Sequence, residues 1–214
     1  MNSTAASILL FGLAVAVLWV TSAYFRSRYR MYRDLDFVAV DQQLKLTIED
    51  PAGASATFTK QVTIVAKKEG LKEFVHREWS ADGTFSDFKV DGKQAKVETD
   101  AGDLIIRKTF DTPMRRRDRI TTTVSTVVTN SFNSIHEWLT FTPTYPIKHL
   151  EVCITLPRSR PAKRTFASER QGSETTVARV QPELSEDGTR IDWSIDNITD
   201  LTRQYLIEWE WPKR

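Results

Sequence analysis

Catalysis by side chains needs a nucleophile, a base and a group that stabilises developing charge, or a metal in their place. This sequence is poor in all of them. Its three histidines, His76, His136 and His149, are widely separated and fall in neither an HExxH nor an HxH pattern. Its one cysteine, Cys153, excludes an intramolecular disulfide and a Cys-rich zinc site. His149 and Cys153 are four residues apart. On a strand that spacing gives them one face but separates them by about 13 Å, beyond contact. There is no GxSxG elbow, no P-loop and no GxGxxG. The carboxylate pairs Asp192/Asp196 and Glu208/Glu210 have strand spacing and read as solvated positions. The expectation is a protein that binds rather than catalyses, with no metal and no cofactor.

Arginine is the residue that stands out. The net charge of +2 conceals +4 over residues 1–33, −5 over 34–106, +7 over 107–170 and −4 over 171–214. Two clusters make up most of the third stretch. One is Arg115, Arg116, Arg117 and Arg119 around Asp118; the other is Arg158, Arg160, Lys163 and Arg164 around Pro161. Guanidinium groups stay charged at any cellular pH and grip phosphate in a bidentate fashion. Both clusters are expected in loops at strand ends, and if those loops share one end of the domain they form a single anion-binding rim. A solvated basic face is the plain alternative. The anionic partners expected are lipid headgroups, at about 1 kcal/mol per basic residue near the surface, or a phosphate-bearing ligand such as a nucleotide messenger. Extended nucleic acid is disfavoured, because the acidic remainder implies no continuous positive groove.

The first element is an anchor. Ala5–Phe25 is an uncharged run of 21 residues, which as a helix spans about 30 Å, the hydrocarbon thickness of a bilayer. Trp19, Tyr24 and Tyr29 lie at or near its C-terminal end, where an interfacial aromatic belt belongs. A cleaved signal peptide is the rival, with Thr21 and Ala23 as a small-x-small site, but no Lys or Arg precedes the run. Arg26, Arg28, Arg30 and Arg33 follow it directly. Positive flanks stay in the cytoplasm, so the expected topology is single-pass in the inner membrane, N-terminus outside and C-terminal domain cytoplasmic. Residues 1–33 are thus expected to be a transmembrane anchor with its arginine flank, and residues 34–214 the cytoplasmic domain.

That domain reads as all-β. Leu44, Leu46 and Ile48 alternate with polar residues, and so do Leu150, Val152, Ile154 and Leu156. Ile191, Trp193 and Ile195 repeat the pattern, as do Tyr205, Ile207, Trp209 and Trp211. In a further run Val75 and Trp79 share one face, with Phe74 and His76 opposite. Period-2 alternation in Val, Ile, Thr and aromatic residues marks half-buried strands. Turn signals such as Asp50-Pro51-Ala52-Gly53, Asp91-Gly92 and Glu186-Asp187-Gly188 separate the runs. The nearest thing to a helix, Ser131 to Leu139, is expected to bend the chain between strands. The expected fold is an antiparallel β-sandwich or barrel behind one transmembrane helix, as one domain or as two smaller β-units meeting near Asp111–Asp118. Trp79, Trp138, Trp193, Trp209 and Trp211 are each expected in the core, the sharper alternative being an aromatic ligand platform.

The span Ala5–Phe25, its arginine flank and the β-rich remainder together resemble, in architecture, small membrane-anchored effectors of bacterial anti-phage systems that signal through cyclic oligonucleotides. The resemblance implies a β-domain that binds the messenger, associates with itself and damages the membrane. Those effectors usually have two spans where this chain has one, and no motif carries site residues across. The reading is a membrane-tethered binding or effector module, a homo-oligomer or a member of a membrane complex. The alternative is a structural or accessory subunit whose β-domain is a protein–protein scaffold.

Overall fold

The computed structural model describes residues 35–79, 83–100 and 103–212. The span Ala5–Phe25 and the flanking Arg26, Arg28, Arg30 and Arg33 lie outside the described residues. Among the described residues every regular element is a strand, and no helix is long and apolar enough to cross a membrane. Asp36–Arg214 form one compact unit, called the β-body below.

Fifteen strands follow in chain order: β1 (Phe37–Ile48), β2 (Ser55–Ala66), β3 (Leu71–Trp79), β4 (Thr84–Val90), β5 (Lys93–Gln94), β6 (Val97–Asp100), β7 (Asp103–Met114) and β8 (Arg119–Thr129). Then come β9 (His136–Phe141), β10 (Ile147–Thr155), β11 (Arg164–Gln171), β12 (Glu174–Val177), β13 (Glu183–Leu184), β14 (Arg190–Ile198) and β15 (Gln204–Glu210). They build an eight-stranded sheet, β13-β14-β10-β1-β2-β8-β4-β5, a four-stranded sheet, β12-β11-β15-β9, and a three-stranded sheet, β3-β7-β6. The expected antiparallel pairing holds for every ladder except β1 with β10, which run parallel, Ala39 opposite Ile147 and Thr47 opposite Thr155. A parallel pair needs a long crossover, and everything from β2 to β9 serves as that connection.

The alternating runs build the core. Leu44 and Leu46 of β1 lie in register with Val152 and Ile154 of β10, and these with Trp193 and Ile191 of β14. All of these side chains are buried. The same face of the eight-stranded sheet carries Thr122 of β8, in register with Val62 of β2 and so with Gln42 of β1. Thr122 meets His76 of the three-stranded sheet, and Trp193 meets Tyr205 of the four-stranded sheet. The two small sheets therefore cover one face of the large one, which makes a two-layer sandwich. On β3 it is Phe74 and His76 that go inside. Of the stretch Ser131 to Leu139, expected to bend the chain between strands, residues 131–135 do so, whereas His136 to Leu139 already belong to β9 because Glu137 and Phe141 alternate inward.

The stretch Asp111–Asp118 turns out to be a sheet change within one unit. Here β7 of the three-stranded sheet hands over to β8 of the eight-stranded one through Arg115–Asp118. Alongside it, residues 67–70 carry β2 over to β3. The two connections are stitched together by Arg117 N–H to Ala66 O (2.8 Å), Ala66 N–H to Asp118 O (3.0 Å) and Gly70 N–H to Met114 O (2.9 Å).

Candidate functional site

The first arginine cluster lies at the tip of the β7–β8 connection, with Arg119, expected in the loop, already the first residue of β8. Asp118 N–H donates to Arg115 O at 3.0 Å, and the Asp118 carboxylate receives Arg115 N–H at 2.6 Å. Arg117 closes this turn at φ +74°, a left-handed conformation that costs a non-glycine residue about 1 kcal/mol or more. The side chains of Arg115, Arg116, Arg117 and Arg119 are exposed, and no carboxylate among the described residues pairs with them. The tip lies at the end of the β-body where the chain enters. Lys67 N–H donates to Asp36 O, and Lys68 pairs with the Asp36 carboxylate at 2.7 Å.

The second cluster lies elsewhere. Arg119 is level with Val65 on β2, whereas Thr155, which leads into the second loop, is level with Thr47 and hence with Thr57. From Val65 to Thr57 along a strand is about 26 Å, so the two loops sit at opposite ends of the sheet and form no common rim. Nor is the second cluster uniformly available. Arg160 is buried, with Nη1 donating to Pro51 O at 3.1 Å, Nη2 donating to Ser134 O at 3.0 Å, and its guanidinium 4.2 Å from the Trp211 ring centroid. It is a clamp joining three loops. Arg164, expected in the loop, is instead the first residue of β11 and, though exposed, pairs with Glu210 at 2.5 Å, which leaves Arg158 and Lys163 as the exposed cations without a carboxylate partner among the described residues. Sequence spacing puts all four in one loop but says nothing of which side chain folds inward.

The titratable groups gather on the outer face of the eight-stranded sheet. His149 Nδ1 lies 2.6 Å from Asp196 Oδ1, and Nε2 lies 3.2 Å from Glu151 Oε1. Those two hydrogen bonds, Asp196 first, raise the His149 pKa above its ordinary value. Gln43 Nε2 donates to the second Glu151 oxygen at 2.9 Å. Cys153 shares the face one row beyond Glu151, between Lys45 and Asp192. Burial, and then the Asp192 charge, push its thiol up, so it holds its proton. Nucleophilic catalysis by a cysteine uses a low-pKa thiolate beside a base such as histidine, and Cys153 has neither here. A concavity of about 600 Å³ opens here, lined by Lys45, Glu151, Cys153, Arg190, Asp192 and Val180 among others. Among the described residues no group of three or more His, Cys, Asp or Glu is placed to hold a metal ion.

One arrangement escapes the sequence. On the four-stranded sheet Phe166 of β11, Glu208 of β15 and Trp138 of β9 stand in a single cross-strand row. Trp209 and Trp211 are fully buried, yet Trp138 is 45 % and Phe166 46 % exposed. The alternation Trp138, Thr140 against Glu137, Leu139, Phe141 signals which ring faces out, but only strand order sets Phe166 beside it.

No family model matches the chain, and no curated protein matches it. Among solved structures it is similar to the M1 zinc metallopeptidase of Deinococcus radiodurans, at 11 % identity and TM-score 0.43 over 80 % of this chain. The chain spans 42 % of that protein's length. It is also similar to a proposed nutrient binding protein of Legionella pneumophila, at 10 % identity and TM-score 0.49, covering 81 % of this chain and 67 % of that one.

Proposed function

We propose that this chain is a membrane-tethered recognition module that acts by binding, with Ala5–Phe25 as the anchor and the Arg115–Arg119 tip as a contact for anionic lipid headgroups on the cytoplasmic leaflet. The observation that carries it is the placement of four exposed arginines, without carboxylate partners among the described residues, at the end where the β-body begins at Asp36. Arg117 supports the reading, since a left-handed turn position that glycine would fill without strain holds a cation instead. At about 1 kcal/mol per basic residue, four arginines contribute about 4 kcal/mol, roughly a thousandfold in surface partition. The rival in which a nucleotide messenger is gripped by both basic loops loses support from their positions at opposite ends of the sheet.

Vesicle sedimentation tests the contact. The β-body, residues 36–214, should partition onto vesicles containing phosphatidylglycerol and not onto pure phosphatidylcholine. Replacing Arg115, Arg116, Arg117 and Arg119 with Gln should remove at least 100-fold of that partition at low salt. Undiminished binding by the quadruple variant would overturn the lipid contact. The anchor and topology are tested separately, by impermeant maleimide labelling of Lys93→Cys in intact cells on a Cys153→Ser background. Labelling would show an exported domain.

A further inference from the structure

The outer face of the four-stranded sheet carries an acid between two aromatic rings. Phe166, Glu208 and Trp138 rise from the same face of three adjacent strands. Adjacent strands are about 4.8 Å apart, so the rings originate about 10 Å from each other with the carboxylate midway. Two other carboxylates of this sheet hold cations: Glu210 pairs with Arg164 at 2.5 Å, and Glu169 with Arg203. Glu208 has no such partner among the described residues. Burial pushes its carboxyl up, and only the His136 charge, one row away, works the other way. The next row continues as Val177, Ser168, Leu206, with Val177 79 % exposed.

This composition suits a cation delivered by a polypeptide. Aromatic faces attract cations within about 6 Å of the ring centroid, and a cation above Glu208 would lie about 5 Å from the strand bearing each ring. A guanidinium fits better than an ammonium, because it stacks on rings while presenting two parallel N–H donors to one carboxylate. The row alongside offers Val177 and Leu206 on either side of the buried Ser168, which is more apolar surface than a small organic cation would cover and calls for an apolar side chain next to the charge. We propose that this face docks a partner protein through an arginine inserted between Phe166 and Trp138 and paired with Glu208, with an adjoining apolar residue against Leu206 and Val177. The site is separate from the arginine tip and does not depend on it.

The test uses the full chain in mild detergent and a fluorescein-labelled peptide with one arginine flanked by leucines, against the same peptide with citrulline, which keeps the shape and loses the charge. Fluorescence anisotropy should show the arginine peptide binding at least tenfold more tightly than the citrulline one. Glu208→Gln should reduce that preference below twofold, and Trp138→Ala should weaken the arginine peptide at least fivefold with an unchanged melting temperature. Equal binding of both peptides, binding of neither, or a preference that survives Glu208→Gln would overturn the proposal. So would self-association that Glu208→Gln abolishes without any peptide binding, which would assign the face to a second copy of this chain.

Discussion

Arg160 is the residue at which a ligand-binding and a structural role diverge most sharply in their consequences. Its guanidinium is withdrawn from solvent, donates to the carbonyls of Pro51 and Ser134, and lies 4.2 Å from the centre of the Trp211 ring. A hydrogen bond from a charged donor contributes about 1.5–3 kcal/mol, and a desolvated cation–π contact about 2 kcal/mol. These contributions overlap, and truncation also leaves two carbonyls short of a donor. Arg160→Ala should therefore destabilise the β-body by about 3–5 kcal/mol. For a domain of this size that is a fall of roughly 6–20 °C in Tm. Arg160→Lys keeps the charge but loses the fork that reaches two carbonyls at once, and should fall between Arg160→Ala and the native chain. Arg158→Ala, exposed in the same loop, should change stability by less than about 0.5 kcal/mol. Urea denaturation of the three variants, followed by tryptophan fluorescence, measures the series. A loss below about 1 kcal/mol for Arg160→Ala would refute the clamp and return Arg160 to the pool of ligand-binding residues.

Arg117→Gly should stabilise the β-body by roughly 0.5–1 kcal/mol by relieving the left-handed turn, while lowering vesicle partition; a melting temperature that falls would refute the strain. Burial, with the Lys60 charge second, depresses the pKa of His76 to about 3, so its stabilising term is full above the unfolded value near 6.5 and is lost as pH falls toward 3. His76→Gln should flatten the acid limb of the stability profile, and an NMR titration placing His76 near 6.5 would contradict this. His149 has the opposite sign: its raised pKa stabilises below the unfolded value and the benefit disappears as pH rises through the folded one. Its NMR titration should move down toward 6.5 in Asp196→Asn. At Gly53, φ is +74° and a Cβ would stand 1.7 Å from Phe132 O; Gly53→Ala should cost at least about 3 kcal/mol, whereas Gly92→Ala, with open space around it, should cost only the backbone strain.

The fold class was legible because half-burial writes itself into sequence with period two. Leu44, Leu46 and Ile48, Leu150 to Leu156, and Tyr205 to Trp211 all point inward as their alternation requires. The turn at Asp50–Gly53 was legible for the same local reason, since Asp50 accepts from Ala52 N–H and Ala54 N–H and Gly53 takes the positive φ. The parallel pairing of β1 with β10 was not, because strands more than a hundred residues apart carry no mark of their neighbour. His149 and Cys153 share a face with Glu151 between them, as their spacing requires.

For the arginines, composition determined that this protein carries concentrated positive charge, and where along the chain. Only the tertiary structure decided what each one does. It sent the clusters to opposite ends of one sheet, left the tip in solvent, and folded Arg160 against Trp211. Spacing along a chain fixes which face a side chain takes, because pleating is local. Which loops share an end, and which acid stands between two rings, depends on strand order, and that is settled by how the whole core packs.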